Sequence, residues 1–289
     1  MIIDAHTHIF PRAIREQRER FFPSEPDFRL LYQSSDARIA GAGEIIHTMD
    51  DQGIDKSVVF GFPWKDPDVF KMHNDYILNA VSRFPERLLG FGCFDALHPD
   101  APNEAQRCVE AGLIGIGELA FYRSGIDTPV LDRLEPVMSI LLEKRLPVLI
   151  HVNEPVGHVY PGKAPIVLAG IEALLKRFPH NTIILAHWGG GIFFYHLLRK
   201  EMKSHLKNVY YDTAASPYLY DPGVYRIALE ILGDDRILFG SDYPLLTPKR
   251  YFPEMKTAGI TEDKYRNIIG LNAERLLCLT AATDITDGQ

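Results

Sequence analysis

Short apolar runs recur along the chain, and each alternates with a longer stretch whose apolar residues have helical spacing. The short runs are rich in β-branched residues and have few polar positions, which is typical of strands buried on both faces of a parallel sheet. The predicted strands are Ile2–His6, Lys56–Phe62, Leu88–Phe94, Leu113–Leu119, Pro147–Val152, Thr182–His187, Val209–Thr213 and Ile237–Asp242.

Helices are predicted over the remaining periodic stretches, and two of them end where a proline stops them, at Pro85 and Pro179. The predicted helices are Glu44–Gln52, Met72–Phe84, Asn103–Ala111, Leu131–Lys144, Ile166–Phe178, Phe193–Leu206, Pro222–Leu232 and Thr261–Leu279. Eight strand–helix units predict an α/β fold, a TIM-like (β/α)8 barrel in one domain over residues 1–289. The segment Phe21–Gly43 is predicted to be an insertion after strand one. A doubly wound open sheet is the alternative.

Composition narrows the class of partner. The 289 residues include 31 Lys and Arg against 38 Asp and Glu, a net charge of −7, which argues against a nucleic-acid-binding protein. No apolar stretch reaches the length of a membrane span, and the N-terminus does not resemble a leader. Three widely spaced cysteines indicate reduced core residues. We therefore expect a cytoplasmic protein with a small-molecule partner and neither a nucleic-acid nor a membrane partner.

Polar residues follow the apolar runs at the strand ends, where a TIM barrel places its active site. On strand one, the two-residue period turns Asp4, His6 and His8 to the same face. Asp4 either supports these histidines or is a structural carboxylate. The other strand-end residues are Glu118, His151, His187 and Asp242. Burying charged or imidazole side chains next to apolar strands costs free energy unless these side chains are paired or bound to metal. A shared metal site is therefore predicted. The remaining histidines, His73 among them, have contexts that favour solvated or capping roles, with His158 as the exception.

The order of these motifs resembles the amidohydrolase superfamily. The opening I-I-D-A-H-T-H-I-F-P and the closing G-L-N-A-E-R-L-L are similar to its amidohydrolase-2 branch, which includes aminocarboxymuconate-semialdehyde decarboxylase. The resemblance implies His6, His8, His151 and Asp242 as metal ligands, with His187 beside a metal-bound water. No lysine occurs between Lys71 and Lys144, so the carboxylated lysine of many binuclear members is absent.

Glu118 stands where that lysine would be, and its role stays open. In some members a strand-four glutamate bridges two metals, with the strand-five and strand-six histidines on the second ion, which here would make His187 a ligand. Glu118 could do this, or act as an acid, a base or a substrate contact. The expected cofactor is Zn²⁺, with Mn²⁺ as the alternative, as one ion or two. Dimers are common in this branch, so a homodimer is an alternative to a monomer.

The expected reaction is hydrolysis of an amide, ester or lactone by a metal-activated water, with Asp242, His187 and Glu118 as catalytic residues. The alternative is non-oxidative decarboxylation or hydration of a carboxylated, aromatic or muconate-like substrate at the same site. A silent metal-binding protein and a nuclease on this scaffold are weaker alternatives. The loops after the strands supply the predicted substrate contacts: Arg12, Trp64, Tyr122, Arg123 and Asn153.

Overall fold

The computed structural model describes residues 1–279, so residues 280–289 of the predicted domain lie outside the described residues. Each of the eight predicted strands is present. They are β1 (Ile3–His8), β2 (Lys56–Phe60), β3 (Leu88–Gly90), β4 (Ile116–Leu119), β5 (Val148–Ile150), β6 (Ile183–Leu185), β7 (Val209–Asp212) and β8 (Ile237–Leu238). Most are shorter than the apolar runs that predict them, because residues at one or both ends of the run lie outside the hydrogen-bonded ladder.

The strands pair in parallel and in chain order. β1, β2 and β3 form one sheet, and β4 to β8 form another. Backbone hydrogen bonds bridge both gaps between the sheets. The amide of Gly92 donates to Gly115 (3.0 Å), and the amide of Ala5 donates to Phe239 (2.8 Å). This sequential order lacks the reversal of a doubly wound sheet and is that of a TIM-like barrel.

Helices surround the strands and bury their apolar faces against them. They are α1 (Arg12–Glu16), α2 (Pro26–Tyr32), α3 (Ala42–Gln52), α4 (Pro67–Arg83), α5 (Ala101–Glu110), α6 (Thr128–Lys144), α7 (Leu168–Arg177), α8 (Met202–His205), α9 (Ser216–Leu219), α10 (Gly223–Leu232), α11 (Tyr251–Thr257), α12 (Glu262–Arg266) and α13 (Asn272–Leu276). The predicted Thr261–Leu279 helix is divided by a π-helical stretch, Asn267–Leu271. None of the helices described over residues 1–279 is both long and apolar enough to cross a bilayer.

The predicted helix Phe193–Leu206 is wrong. A 3₁₀ segment (His187–Leu197) and the short α8 occupy this part of the chain. Residues 187–191 have positive φ angles, so the chain leaves β6 in a left-handed turn. Phe194 and Leu197 are 57% and 59% exposed, so the apolar residues in the middle of the segment do not form the continuous buried face that would stabilise a long helix.

The insertion after β1 is confirmed, and buried carboxylates attach it to the barrel. Glu25 is 1% exposed and accepts hydrogen bonds from the backbone amides of Lys65 and Asp66, which follow β2. Asp27 pairs with the Lys65 ammonium group at 3.1 Å. These contacts fix α2, whose last residue, Tyr32, reaches the mouth of the barrel.

His73 is fully buried on α4, which corrects the expected solvated or capping role. Its Nδ1 accepts a hydrogen bond from Trp64 Nε1 (2.8 Å), and its Nε2 donates to the Ile9 carbonyl (2.7 Å). Burial lowers the pKa of His73 to about 4. The ring is therefore neutral at pH 7 and serves as a fixed link between α4 and the segment after β1.

Acidification should destabilise the fold through His73. An unfolded histidine has a pKa near 6.5, so the folded state binds fewer protons than the unfolded state between about pH 6.5 and pH 4. Above pH 6.5, His73 makes its whole contribution to the free energy of unfolding. As the pH is lowered from about 6.5 towards 4, this contribution decreases, by about 3 kcal/mol at most. Urea unfolding of metal-free protein at pH 7.5 and pH 5 measures this loss. His73→Gln should lose less stability over the same interval, and an identical loss in both proteins would contradict the assignment.

Candidate active site

The end of β1 carries two buried histidines, each of which has a hydrogen-bond acceptor beside its Nδ1 atom. His6 Nδ1 lies 2.8 Å from Asp212 Oδ2, and His8 Nδ1 lies 3.0 Å from the Gly61 carbonyl oxygen. Because both partners accept hydrogen bonds, each ring carries its proton on Nδ1 and its lone pair on Nε2. Within residues 1–279, the buried Nε2 of His6 has no hydrogen-bond partner. Two imidazole lone pairs are therefore available at one point.

Two carboxylates from other strands meet these lone pairs. Glu118 Oε2, from β4, lies 3.6 Å from His6 Nε2 and 3.5 Å from His8 Nε2. Asp242 Oδ1, from the segment after β8, lies at 3.6 Å and 3.5 Å from the same two atoms. Ligand atoms bound about 2.1 Å from a tetrahedral metal ion are about 3.4 Å apart. Each of these four distances between a histidine nitrogen and a carboxylate oxygen therefore matches the spacing of two ligands of one ion.

The second oxygen of Glu118 faces two further histidines. Glu118 Oε1 lies 2.9 Å from His151 Nδ1 and 3.5 Å from His187 Nε2. The far nitrogens of these rings are held by carbonyl oxygens, His151 Nε2 by Gly162 (3.0 Å) and His187 Nδ1 by Ala214 (2.9 Å). These lone pairs also point at Glu118, which stands between two groups of ligand atoms.

This donor set fits a divalent cation. The Nε2 atoms of three histidines, the Nδ1 atom of His151 and two carboxylates converge in a buried site. Burying hydrogen-bond acceptors that face one another costs free energy unless a positive charge lies between them. Two groupings have the spacing of ligands, His6 with His8 and Glu118, and Glu118 with His151 and His187. Mixed imidazole and carboxylate ligands suit Zn²⁺ or Mn²⁺.

The electrostatics of the site agree with this fit. Burial works to raise the pKa of Glu118, but His6 and His151 outweigh burial and hold that pKa well below its usual range. Asp242 is likewise brought to a pKa of about 2, because the neighbouring imidazoles outweigh burial. Burial works to lower the pKa of His187, but Glu118 and Asp242 raise it to about 9, so without a metal ion a proton on His187 Nε2 supplies the positive charge that faces Glu118. Both carboxylates are thus ionised at neutral pH and attract positive charge.

Two of these residues occupy strained backbone. His187 and Asp242 have φ angles of 54° and 58°, which are uncommon for residues with a side chain. The turn after His187 also needs Gly190, since a Cβ atom there would lie 2.4 Å from the Asn153 carbonyl oxygen. Strain of this kind persists where the surrounding structure fixes it, typically at functional sites.

A cavity of about 570 Å³ opens above these side chains. One part of its wall is aromatic, with Phe62 and Tyr122 stacked at 6.3 Å between ring centroids and Tyr32 edge-on to Phe62 at 6.0 Å. Further lining residues include Arg38, His158, Tyr160, Gly162, Tyr218 and Leu245. The cavity has the size and lining of a small-molecule site.

The two arginines predicted to contact substrate lie outside the residues that line this cavity. The Arg12 side chain is 80% exposed and pairs with Glu16 one helical turn away. Arg123 Nε donates to Asp27 Oδ1 at 2.6 Å, which attaches α2 to the segment after β4. Arg123 therefore holds the insertion in place, and the carboxylate that it binds belongs to the protein.

Of the other three predicted contacts, only Tyr122 lines the cavity. Trp64 is fully buried in the core, where it bonds to His73. Asn153 is 1% exposed and is joined to Ala164 by hydrogen bonds at both ends of its amide group. Tyr122 packs on His151 with 5.1 Å between ring centroids.

Sequence reasoning missed three residues of the site. Asp212 ends β7, receives the His6 N–H, and also accepts from the His187 backbone amide at 2.9 Å. Its position after an apolar run was the same signal that identified Asp242. Tyr32 and Arg38 come from the insertion, whose sequence gave no periodic pattern to place them. Asp4, by contrast, bonds to Ser241 and the His6 amide, which makes it a structural carboxylate.

The sequence matches the amidohydrolase family model over residues 3–279. It is 23% identical over 339 residues to the 2-amino-3-carboxymuconate-6-semialdehyde decarboxylase of Dictyostelium discoideum, an alignment that covers 96% of this chain and 91% of that protein.

Solved structures show the same fold at low sequence identity. The 5-carboxyvanillate decarboxylase of Sphingomonas paucimobilis superposes with a TM-score of 0.76 at 20% identity, covering 96% of this chain and 99% of that one. The enzyme of the same name from Novosphingobium aromaticivorans, solved with manganese and 4-hydroxy-3-methoxy-5-nitrobenzoic acid, has a TM-score of 0.76 at 18% identity, covering 96% of each chain. The 2,6-dihydroxybenzoate decarboxylase of Rhizobium has a TM-score of 0.69 at 18% identity, covering 96% of this chain and 98% of that one.

Proposed function

Since the chain belongs to the amidohydrolase family, we propose that this enzyme is a metal-dependent non-oxidative decarboxylase of a carboxylated aromatic or muconate-like small molecule. The observation that carries the proposal is the convergence of imidazole lone pairs and carboxylates at the floor of an aromatic cavity with Arg38 in its wall. The relatives described above act on acids of this kind. The earlier expectation of hydrolysis becomes the second candidate.

The metal would be held by His6 Nε2, His8 Nε2, Glu118 Oε2 and Asp242 Oδ1, since each histidine nitrogen lies at a ligand-to-ligand distance from each carboxylate oxygen. When bound, a divalent ion supplies Lewis acidity that stabilises negative charge on substrate oxygens. Mn²⁺ is supported by the neighbouring structures that contain it, and Zn²⁺ suits the same ligands. Glu118 Oε1, His151 and His187 would hold a second ion if two are bound.

Decarboxylation exchanges a carboxyl group for a proton at the same carbon. His187, whose pKa is about 9, is placed to hold that proton beside the metal position, and the ionised carboxylate of Asp242 is placed to accept and pass on a proton there. The proton forms the new C–H bond, the C–C bond to the carboxyl group breaks, and its electron pair returns to the substrate as CO₂ leaves. Phe62 and Tyr122 form an apolar wall that orients a flat substrate and excludes water.

Arg38 is the residue best placed to bind a substrate carboxylate. It lines the cavity, and no carboxylate among residues 1–279 lies within ion-pair distance of it. A guanidinium group binds a carboxylate through two parallel hydrogen bonds. The cavity therefore offers a metal position for one polar group of the substrate and a cation for another.

Arg38→Met should raise KM for a carboxylated substrate about 10- to 100-fold, the effect of losing a charge-assisted hydrogen bond. The value of kcat should change little, because Arg38 does not contact the metal ligands. Steady-state kinetics on the manganese-loaded protein measure both constants. Arg226→Met, which removes an exposed helix arginine paired with Glu230, is the matched control. An unchanged KM in Arg38→Met would remove Arg38 from the substrate site.

The experiment that tests the proposed reaction measures CO₂. Manganese-loaded enzyme is incubated with hydroxylated benzoates and muconate-type acids, and CO₂ release is compared with loss of substrate. The proposal expects one CO₂ for each substrate consumed, and none with metal-free protein. Metal-dependent cleavage of esters, lactones or amides without CO₂ release would establish the hydrolase instead.

Hydrolysis is kept as the second candidate because of Glu118. Its two oxygens face separate ligand groups, an arrangement that suits a pair of ions activating a water molecule. Elemental analysis of protein purified without added metal distinguishes one ion from two. A homodimer and a cytoplasmic location stay predictions.

A further inference from the structure

The loop after β5 contains a largely buried ion pair that the proposed reaction does not use. Lys163 and Glu154 approach to 3.0 Å, and their side chains are only 12% and 18% exposed. The loop between β5 and α7 has no helix or strand, yet it supplies four residues of the cavity wall: His158, Tyr160, Pro161 and Gly162. Removing a charged group from water costs free energy, which hydrogen bonds and an opposite charge must offset.

The loop that contains Lys163 provides these hydrogen bonds and the opposite charge. Its ammonium group has three donors, and three acceptors receive them: Glu154 Oε1, the Val156 carbonyl and the His158 carbonyl. The other oxygen of Glu154 accepts the Tyr160 hydroxyl at 2.9 Å. The hydrogen bonds of the Lys163 ammonium group and of Glu154 thus hold residues 154–160 in a closed turn.

The same turn holds a residue of the metal centre. Gly162 precedes Lys163, and its carbonyl receives His151 Nε2 at 3.0 Å. This hydrogen bond fixes the proton of His151 on Nε2 and turns Nδ1 towards Glu118. Displacing the turn would remove the acceptor and free the imidazole to rotate.

We infer that Lys163 is a positioning residue, which folds the loop after β5 so that the Gly162 carbonyl presents His151 to the metal. This inference rests on the proposed function in taking His151, with Glu118 and His187, as a ligand of the second ion. Partners that orient a ligand histidine change metal affinity about 10- to 100-fold when they are lost. Because Lys163 acts through the Gly162 backbone, its loss should give an effect near the lower value.

The test uses the full-length metal-free protein and Mn²⁺ alone as the probe. Free Mn²⁺ is followed by electron paramagnetic resonance during titration, and amide hydrogen exchange is measured across residues 154–162. In Lys163→Met, the Mn²⁺ dissociation constant should rise roughly 10-fold and the loop amides should exchange faster. Lys163→Arg, which keeps the charge, should retain most of the wild-type affinity. The matched control is Lys176→Met, which removes an exposed lysine paired with Glu172.

The outcomes separate this inference from the proposed function. Unchanged Mn²⁺ affinity and unchanged loop exchange in Lys163→Met would overturn the inference, as would an equal effect in Lys176→Met. If wild-type protein binds no Mn²⁺, the proposed function fails, and loop exchange alone decides whether Lys163 orders the turn. If Lys163→Met does not fold, Glu154→Gln should change both measurements in the same direction, and no change there would also overturn the inference.

Discussion

Asp242→Ala should lower kcat by about 10³-fold or more, because it removes a metal ligand and a carrier of the proton in one change. The side chain contacts His6 and His8 in the buried site, while the backbone amide of residue 242 bonds to the His6 carbonyl independently of the side chain. The fold should therefore survive. Steady-state turnover of manganese-loaded protein, with circular dichroism as the check of folding, measures the effect.

Asp235→Ala, which removes an exposed aspartate paired with Arg236, is the matched control and should retain full turnover. Asp242→Asn adds a second comparison, since an amide keeps the shape of the carboxylate but cannot carry the proton. A folded, metal-loaded Asp242→Ala protein with near wild-type turnover would contradict both roles of Asp242.

Glu118→Gln should reduce turnover roughly 100-fold or more and lower the amount of metal bound. Glu118 is 4% exposed, and its two oxygens face His6 and His8 on one side and His151 and His187 on the other. A neutral amide keeps the volume but removes the negative charge and one of the two acceptor oxygens. Metal content by elemental analysis, together with turnover, measures both effects.

Glu135→Gln is the control for Glu118→Gln, since it neutralises an exposed glutamate that pairs with Arg177. If the site holds two ions, Glu118→Gln should lower the metal-to-protein ratio below that of the wild type. If the site holds one ion, the ratio at saturation should persist while the affinity falls. Unchanged affinity, ratio and turnover would exclude Glu118 from the metal site.

The apolar pattern predicted the strands because each one is buried on both faces, so nearly every position is constrained to be hydrophobic. The same constraint makes a polar residue at the end of a run conspicuous, and in this way His6, His8, Glu118, His151 and Asp242 were found. Asp212 obeys the same rule. It was missed because a single carboxylate at the end of a strand does not by itself indicate a role, and its partner in the fold, His6, cannot be identified from the sequence.

Residues from loops could not be predicted in the same way. Arg123 follows Glu118 in the chain and was expected at the substrate, but α2 places Asp27 beside it, a contact between residues 96 positions apart. Tyr32 and Arg38 reach the cavity because the insertion folds back over the barrel mouth. The Phe193–Leu206 helix failed for a related reason, since Phe194 and Leu197 are exposed, and the spacing of apolar residues along the chain does not show which of them the fold will bury.

The central claim is that the lone pairs of His6 and His8 and the carboxylates of Glu118 and Asp242 surround one metal ion. Anomalous diffraction at the manganese edge, from crystals grown with saturating Mn²⁺, tests this claim most directly. We expect an anomalous peak about 2.0–2.2 Å from His6 Nε2, His8 Nε2 and one oxygen of each carboxylate. Fully occupied Mn²⁺ elsewhere on the protein, with no peak between these four side chains, would contradict the claim.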